Sequence, residues 1–307
     1  MIVTVTLNPS IDYVIYPDQE ITPGKINRFE KSHTFPGGKG INVSRILHEL
    51  GISSTATGFV GGFTGQFIVD SLEKEEISTA FAYVNDNTRI NVKVKGQKET
   101  ELNGSGSFIL EEDATAFLER FDGMNSEDIV ILSGSKARNL PDNYYQQIIS
   151  HLKDKNIAFV IDTTGAELRN ALSSNPLVVK PNKEELEELY DVKLDTTEDI
   201  IYHGKKLLSE GPHYVLISMA GDGALLLTDK AVYRGSVPKG KVKNSVGAGD
   251  SMVAGFVGQY SLSKDPLEAF RMGLACGSAT AFSEDLADKE TIDKVFKTVK
   301  IELLEGK

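Results

Sequence analysis

Tryptophan is absent from this chain, and 307 residues include one cysteine and five histidines. The single cysteine, Cys276, can close no internal disulfide, so a reducing compartment and a cytoplasmic location are expected. It sits among small residues in L-A-C-G-S-A-T-A, a setting that suits a core position better than a nucleophile. His33, His48, His151, His203 and His213 are scattered without metal-ligand spacing and read as surface or half-buried side chains. Positive charge is scarce: 33 Lys and Arg against 44 Asp and Glu leave a net charge of −11. That balance excludes a general binder of nucleic acid or of anionic membranes, so any cations that handle phosphate must be local. No apolar run reaches membrane-spanning length, and the first residues do not read as a signal peptide. There is no G-x-x-x-x-G-K-[ST] loop, and Gly221-Asp222-Gly223 and Gly104-Ser105-Gly106 both lack the spacing of a dinucleotide fingerprint.

Glycine, by contrast, is clustered where helices begin. Asn244 to Gly255 reads N-S-V-G-A-G-D-S-M-V-A-G, with Met252, Val253, Phe256, Val257 and Tyr260 following at helical spacing, so a helix is expected to start near Gly249. A helix start offers unpaired N–H groups and the positive end of the macrodipole, and Gly247, Ala248 and Gly249 leave an anion room to approach them. Asp250 is then a carboxylate beside an anion pocket, which suits phosphoryl transfer: charge is steadied and a hydroxyl proton is accepted. Spacing alone leaves open a plain glycine turn with an acidic cap. A second loop of this type, Phe35 to Val43, reads F-P-G-G-K-G-I-N-V and runs into Ser44, Arg45, Ile46, Leu47 and Leu50.

Short apolar runs at Ile2–Leu7, Ser54–Phe59, Ile129–Leu132, Ala158–Ile161, Leu177–Val179 and Tyr214–Ser218 alternate with helical patterns at Glu111–Phe121, Asp142–Leu152, Asn182–Tyr190 and Thr197–Leu208. Such alternation predicts an α/β fold with a mostly parallel sheet covered by helices on both faces. Tyr13–Tyr16 with Lys25–Thr34, and Thr88–Lys95 with Glu99–Leu102, alternate with period two and read as extra strands. On Thr88–Lys95 one face carries Arg89, Asn91, Lys93 and Lys95, the other Ile90, Val92 and Val94. The apolar face is expected to pack inward or on a partner, and the basic face to meet an anion; lysine on an edge strand also blocks aggregation.

Together, P-G-G-K-G-I-N-V, V-G-A-G-D-S and the opening T-L-N-P-S-I-D resemble the PfkB branch of the ribokinase-like carbohydrate kinases, from Ile2 to about Asp285. The resemblance implies a single kinase domain over residues 1–307, with a small β-sheet lid in segments of about 12–35 and 88–103 that also forms a homodimer interface. It implies ATP and a sugar phosphate as ligands, with Asp250 as base and the backbone of Gly247, Ala248 and Gly249 around the transferring phosphoryl group. On the substrate side it implies roles for Asp12, Gly37, Gly38, Lys39, Asn42, Arg89, Asn91 and Ser135, with Arg89 and Lys39 reading phosphate. Ser133-Gly134-Ser135 continues as Lys136-Ala137-Arg138 where the family has Leu-Pro-x-Gly, which weakens the role of Ser135.

On the nucleotide side, V-K-P-N-K-E-E-L reads as a strand end and a helix start, with Asn182 as N-cap and Glu185 completing a capping box. The resemblance adds that Asn182 and Glu185 organise Mg²⁺ through its waters. It also implies nucleotide contacts from Ser218, Gly221, Asp222 and Gly223, from Gly249, and from Lys180 and Lys25, with Ala220 standing where a glycine is usual. A helix N-terminus is expected to lower the pKa of Asp250, a tolerable setting for a base when the transition state is loose. Within the family, the segments T-R-I-N-V-K and A-C-G-S-A-T-A-F-S-E-D-L-A look most like bacterial fructose-1-phosphate kinases. Tagatose-6-phosphate and fructose-6-phosphate kinases are the near alternatives, and a sugar-phosphate-binding protein without catalysis is the alternative of another class.

Overall fold

The computed structural model describes residues 1–96, 99–237 and 240–306; residues 97 and 98 of the second expected lid segment lie outside them. The central strand, β1 (Ile2–Thr6), is buried along its whole length. The lid strands β2 (Ser10–Pro17) and β3 (Phe29–Gly37) follow it directly, before the chain returns to the main sheet as β4 (Ser54–Gly61). Short strands β5 (Ser78–Thr79) and β6 (Ala82–Val84) flank β4, and β7 (Arg89–Lys95) and β8 (Glu99–Asn103) return to the lid. The main sheet continues through β9 (Ile129–Ser133), β10 (Ala158–Asp162), β11 (Val178–Val179) and β12 (Tyr214–Ser218), then β13 (Ala224–Leu227), β14 (Ala231–Ser236) and β15 (Lys300–Gly306).

Its order is β15-β14-β13-β12-β11-β10-β9-β1-β4-β5, with β6 also pairing β4. From β5 to β12 the pairing is parallel; β12 to β15 is an antiparallel edge. Alternation along the strands explains why both faces carry a core. Val130, Leu132, Phe159 and Ile161 belong to one apolar cluster, and Ile129, Ile131 and Val160 to the other. The lid is a separate four-stranded sheet, β3-β2-β7-β8, in which β2 and β7 run parallel.

Helix Ala248–Ser263 is buried from Asp250 through Gly258, so its sequence is apolar nearly all round rather than striped. It packs on helix Pro266–Ala281, where a Cβ at Gly255 would lie 2.7 Å from the Met272 carbonyl oxygen. That close crossing accounts for the small residues around Cys276, which is fully buried and whose thiol burial pushes up to about 12.

Several expectations shift. The strand expected at Lys25–Thr34 is β3 at Phe29–Gly37, because residues 18–28, with Pro23 and Gly24, form an exposed turn instead. The expected helix Glu111–Phe121 stops at Leu118 and tightens into a 3₁₀ turn, Glu119–Gly123. On β7, Asn91 and Lys93 are buried on the face beside Asp12, while on the apolar face Ile90 is 43% exposed and Val94 is buried. Ala220 adopts φ +48°, a left-handed conformation that glycine would hold without strain.

Candidate active site

The acid Asp250 occupies the first turn of helix Ala248–Ser263, whose N-cap, Gly247, has φ +80°. Asn42, from helix Lys39–Glu49, donates its amide to Asp250 Oδ2 at 2.8 Å, a contact spanning 208 positions of sequence. Two ammonium groups face the same spot. Lys180 Nζ stands 3.1 Å from where a Cβ on Gly249 would be, and Lys39 Nζ donates to Asp162 Oδ2 at 3.1 Å. Lys180 Nζ lies 3.6 Å from the other oxygen, Asp162 Oδ1. Asp162 ends β10 and is 4% exposed, so one buried carboxylate holds both cations at the mouth of the glycine turn.

The electrostatics follow from this crowding. Burial drives the Asp250 carboxyl up, the negative Asp162 adds to it, and Lys39, Asn42 and Lys180 pull the other way; the result is about 6. This corrects the lowered value expected from the helix N-terminus: the macrodipole argument treats the carboxylate as solvated, whereas Asp250 is 7% exposed. Burial opposes charge on Asp162 as well, but Lys180 and Lys39 outweigh it and hold its pKa below the ordinary value. For Lys39, burial is outweighed by Asp162, Asp250 and Glu185, so its pKa is raised.

Beneath the lid, Asp12 Oδ2 pairs with Lys93 at 2.9 Å, and Asp12 Oδ1 accepts from Ser10 at 2.8 Å and from Asn91 at 3.0 Å. A Cβ on Gly37 would lie 2.7 Å from both the Asp12 carboxyl and Ser10 Oγ, and one on Gly38 (φ +127°) 2.6 Å from Thr6. The glycine pair is thus what lets helix Lys39–Glu49 start against β1. A cleft of about 360 Å³ opens here, with Asp12, Lys93, Lys31 and Tyr16 on its lid side and Asn42, Lys241 and Lys243 facing them.

Arg89 donates to three backbone carbonyls, of Asn8 (3.0 Å), Gly104 (3.1 Å) and Pro9 (3.4 Å), so its guanidinium is engaged in bracing the lid's root. Ser135 is exposed and accepts from Asn8 at 3.4 Å; the neighbouring Lys136 pairs with Glu167 at 2.7 Å, and Arg138 is exposed. Asn182 and Glu185 form the reciprocal capping box (2.8 and 2.7 Å), and Asn182 bridges to Ser218 beside the turn Ala220–Asp222 and Gly223, whose φ is +87°. Lys25 is not brought to this cluster; it lies in the exposed turn between β2 and β3, bonded within that turn.

Sequence reading missed Asp162. An acid after four apolar strand residues in A-F-V-I-D was the available signal, since parallel strands present their carboxyl ends to the ligand side of the sheet. Among the described residues no group of three or more acids, histidines or cysteines is placed to hold a metal, and no helix is long and apolar enough to cross a membrane.

Comparison with known proteins agrees with this geometry. A family model described as pfkB family carbohydrate kinase matches residues 5–292. The chain is 48% identical to 1-phosphofructokinase of Bacillus subtilis over 98% of its length and 99% of that protein. It is 35% identical to D-tagatose-1-phosphate kinase of Bacillus licheniformis, covering 98% and 99% of the two chains. A crystal structure of a phosphofructokinase from Staphylococcus aureus superposes over 100% of both chains, with 41% identity and a TM-score of 0.89. Ribokinase of Arabidopsis thaliana, at 19% identity, covers 96% of this chain and 98% of its own with a TM-score of 0.77, which places the α/β sheet and its helices in the ribokinase-like fold. The chain belongs to the pfkB family of carbohydrate kinases, as an ATP-dependent sugar-phosphate kinase.

Proposed function

We propose that the chain transfers the γ-phosphoryl group of ATP to fructose 1-phosphate, giving fructose 1,6-bisphosphate and ADP. The observation that carries this is the buried Asp250, held by Asn42 at 2.8 Å, beside an open glycine turn that Lys180 overlooks. The 48% identity to a 1-phosphofructokinase over nearly the whole chain supports the acceptor. Asp250 accepts the proton of the 6-hydroxyl as its oxygen attacks the γ-phosphorus, and the bond to the ADP oxygen breaks. With a pKa of about 6 the carboxylate is ionised at neutral pH yet basic enough to take that proton. The backbone N–H groups of Gly247 to Asp250, with Lys39 and Lys180, steady the charge on the moving group.

Sugar hydroxyls are assigned to Asp12 and Asn91, with Gly37 and Gly38 giving the close approach and Lys39 reaching the acceptor. The adenine nucleotide is assigned to the turn of Ser218, Gly221, Asp222 and Gly223. Mg²⁺ fits the oxygen chemistry near Asn182 and Glu185: the capping box engages Glu185 Oε2, and Oε1 has no hydrogen-bond partner among the described residues. When bound, the ion neutralises charge on the ATP phosphates. We assign the chain a single catalytic unit, with its lid on β2, β3, β7 and β8, working in the cytoplasm.

The partner copy belongs to the same proposal. Ile90, Val92 and Leu102 share one lid face by register, Phe29 stacks edge-on to Tyr13 at 6.2 Å, and Ile90, Leu102 and Phe29 are 43%, 62% and 40% exposed. An apolar sheet face of this kind is covered when two lids meet, so sedimentation equilibrium should return twice the 33.5 kDa chain mass; a monomer at micromolar concentration contradicts it.

A coupled ADP-release assay with Mg-ATP against fructose 1-phosphate, tagatose 1-phosphate, tagatose 6-phosphate, fructose 6-phosphate and fructose tests the function. The highest kcat/KM is expected for fructose 1-phosphate. Preference for a tagatose phosphate moves the acceptor assignment, and sugar-phosphate binding with no ADP release from any acceptor overturns the kinase reading.

A further inference from the structure

We infer that Arg45 is a positioning residue for phosphoryl transfer, joining the helix that supports the base to the loop that backs the phosphate turn. The inference rests on the kinase reading above. Helix Lys39–Glu49 places Asn42 and Arg45 three residues apart, hence on one face. Asn42 holds Asp250; Arg45 reaches across the same cleft to the loop between helices Pro266–Ala281 and Lys289–Phe296.

There its guanidinium forks onto Asp285, with Nη2 to Oδ2 at 2.8 Å and Nη1 to Oδ1 at 3.4 Å. Its Nε donates to Glu75 Oε2 at 2.9 Å, outside the fork, and the side chain is only 14% exposed. The residue after Asp285 is Leu286, whose Cδ2 would stand 2.7 Å from a Cβ on Gly247. Leu286 therefore backs the left-handed glycine that turns the anion-binding N–H groups outward.

The rest of the loop is fixed to the phosphate turn itself. Asn244 donates to the Glu284 carbonyl at 3.2 Å, and the Ala287 N–H donates to Thr280 Oγ1 at 3.2 Å, which in turn lies 2.8 Å from Ser251 Oγ. Loop and turn thus move together. Helix Lys39–Glu49 already packs on helix Ala248–Ser263 through Val43, Ile46 and Leu47, and the Arg45 fork, with the Lys289 N–H on Glu49 one turn further along, adds its polar tie to the loop. A lysine could neutralise Asp285 but could not form the fork. Loss of the fork lets the phosphate turn shift against Asn42 and Asp250, and displacements near 1 Å cost up to about 100-fold in rate.

The test compares Arg45→Met, Asp285→Ala, the double variant and Glu75→Ala in steady-state ADP release, with melting temperatures alongside. Turnover by the unaltered chain checks the kinase reading separately, since the inference concerns only ratios to it. Arg45→Met and Asp285→Ala should each lower kcat by about 30-fold with KM for the sugar phosphate within about threefold. The double variant should be no slower than the worse single, because both remove one link. Glu75→Ala, which keeps the fork, should stay within about twofold of the unaltered kcat. Multiplying losses in the double variant, an equal loss on Glu75→Ala, or melting temperatures that fall while kcat is unchanged would each overturn the inference. If Arg45→Met does not fold, Asp285→Ala on the part-exposed loop still decides it.

Discussion

Asp250→Asn will lower kcat by about 10³- to 10⁴-fold while making the protein more stable at pH 8. Both effects come from the same burial. Asparagine keeps the shape of the side chain but cannot take a proton, so the acceptor hydroxyl must attack without a base. In the folded protein the Asp250 carboxyl is raised to about 6 from an ordinary 3.8, which means that folding favours its protonated form. Its contribution to stability is therefore fully present below pH 3.8 and is lost as pH rises through about 6. Above that point the ionised group costs the fold about 3 kcal/mol, a penalty that the neutral amide does not carry. The melting temperature of Asp250→Asn should exceed that of the unaltered chain by about 5 °C at pH 8 and by little at pH 4. Equal melting temperatures at pH 8 would show that Asp250 is not electrostatically strained, and near-full turnover would remove it as the base.

Asp162→Asn should do the reverse to stability. Asp162 carries two ammonium groups, Lys39 at 3.1 Å and Lys180 at 3.6 Å, and an amide leaves both facing a neutral partner in a buried site. Removing one member of a buried pair costs about 3–5 kcal/mol. The folded pKa of Asp162 is lowered, so its contribution is present above the ordinary 3.8 and is lost as pH falls through the lowered value. Urea denaturation should thus show the full deficit at pH 7 and a shrinking one as pH is taken below about 4. Activity should fall too, because the two cations lose the anchor that aims them at the glycine turn. Urea curves that coincide at pH 7 would mean that Lys39 and Lys180 are held by something else.

The parts of this site that were legible in the sequence are those set by local chemistry. The glycine run predicts a helix start within one residue of Ala248, where it begins, and Asn182 with Glu185 makes the capping box that its spacing predicts. The alternation of β7 separates Asn91 and Lys93, on the Asp12 side, from the exposed Ile90. What was not legible depends on distant segments. The contact between Asn42 and Asp250, and the charge cluster around Asp162, join elements far apart in the chain, and no periodicity records them. The carbonyls of Asn8, Pro9 and Gly104 to which Arg89 donates come from segments that no local pattern places beside it, so these contacts were not legible either. The sign of the Asp250 shift failed for a related reason: a helix N-terminus is readable, whereas the depth of burial that outweighs it is a property of the packed helix pair. Of the antiparallel edge β13–β15, the buried apolar run Ala224–Leu227 was a readable signal that the sequence reading did not take up, whereas the last strand, Lys300–Gly306, is mostly exposed.

The pH dependence of kcat/KM for ATP-driven phosphorylation of fructose 1-phosphate tests the account most directly, measured in the unaltered chain and in Asn42→Ala. An acid limb near 6 is predicted, matching Asp250. Asn42 favours the charged form of that carboxylate through its 2.8 Å hydrogen bond, so its loss should move the limb to higher pH. A profile that stays flat between about pH 5 and 8, or a limb that does not move in Asn42→Ala, would contradict Asp250 as the buried base of this kinase.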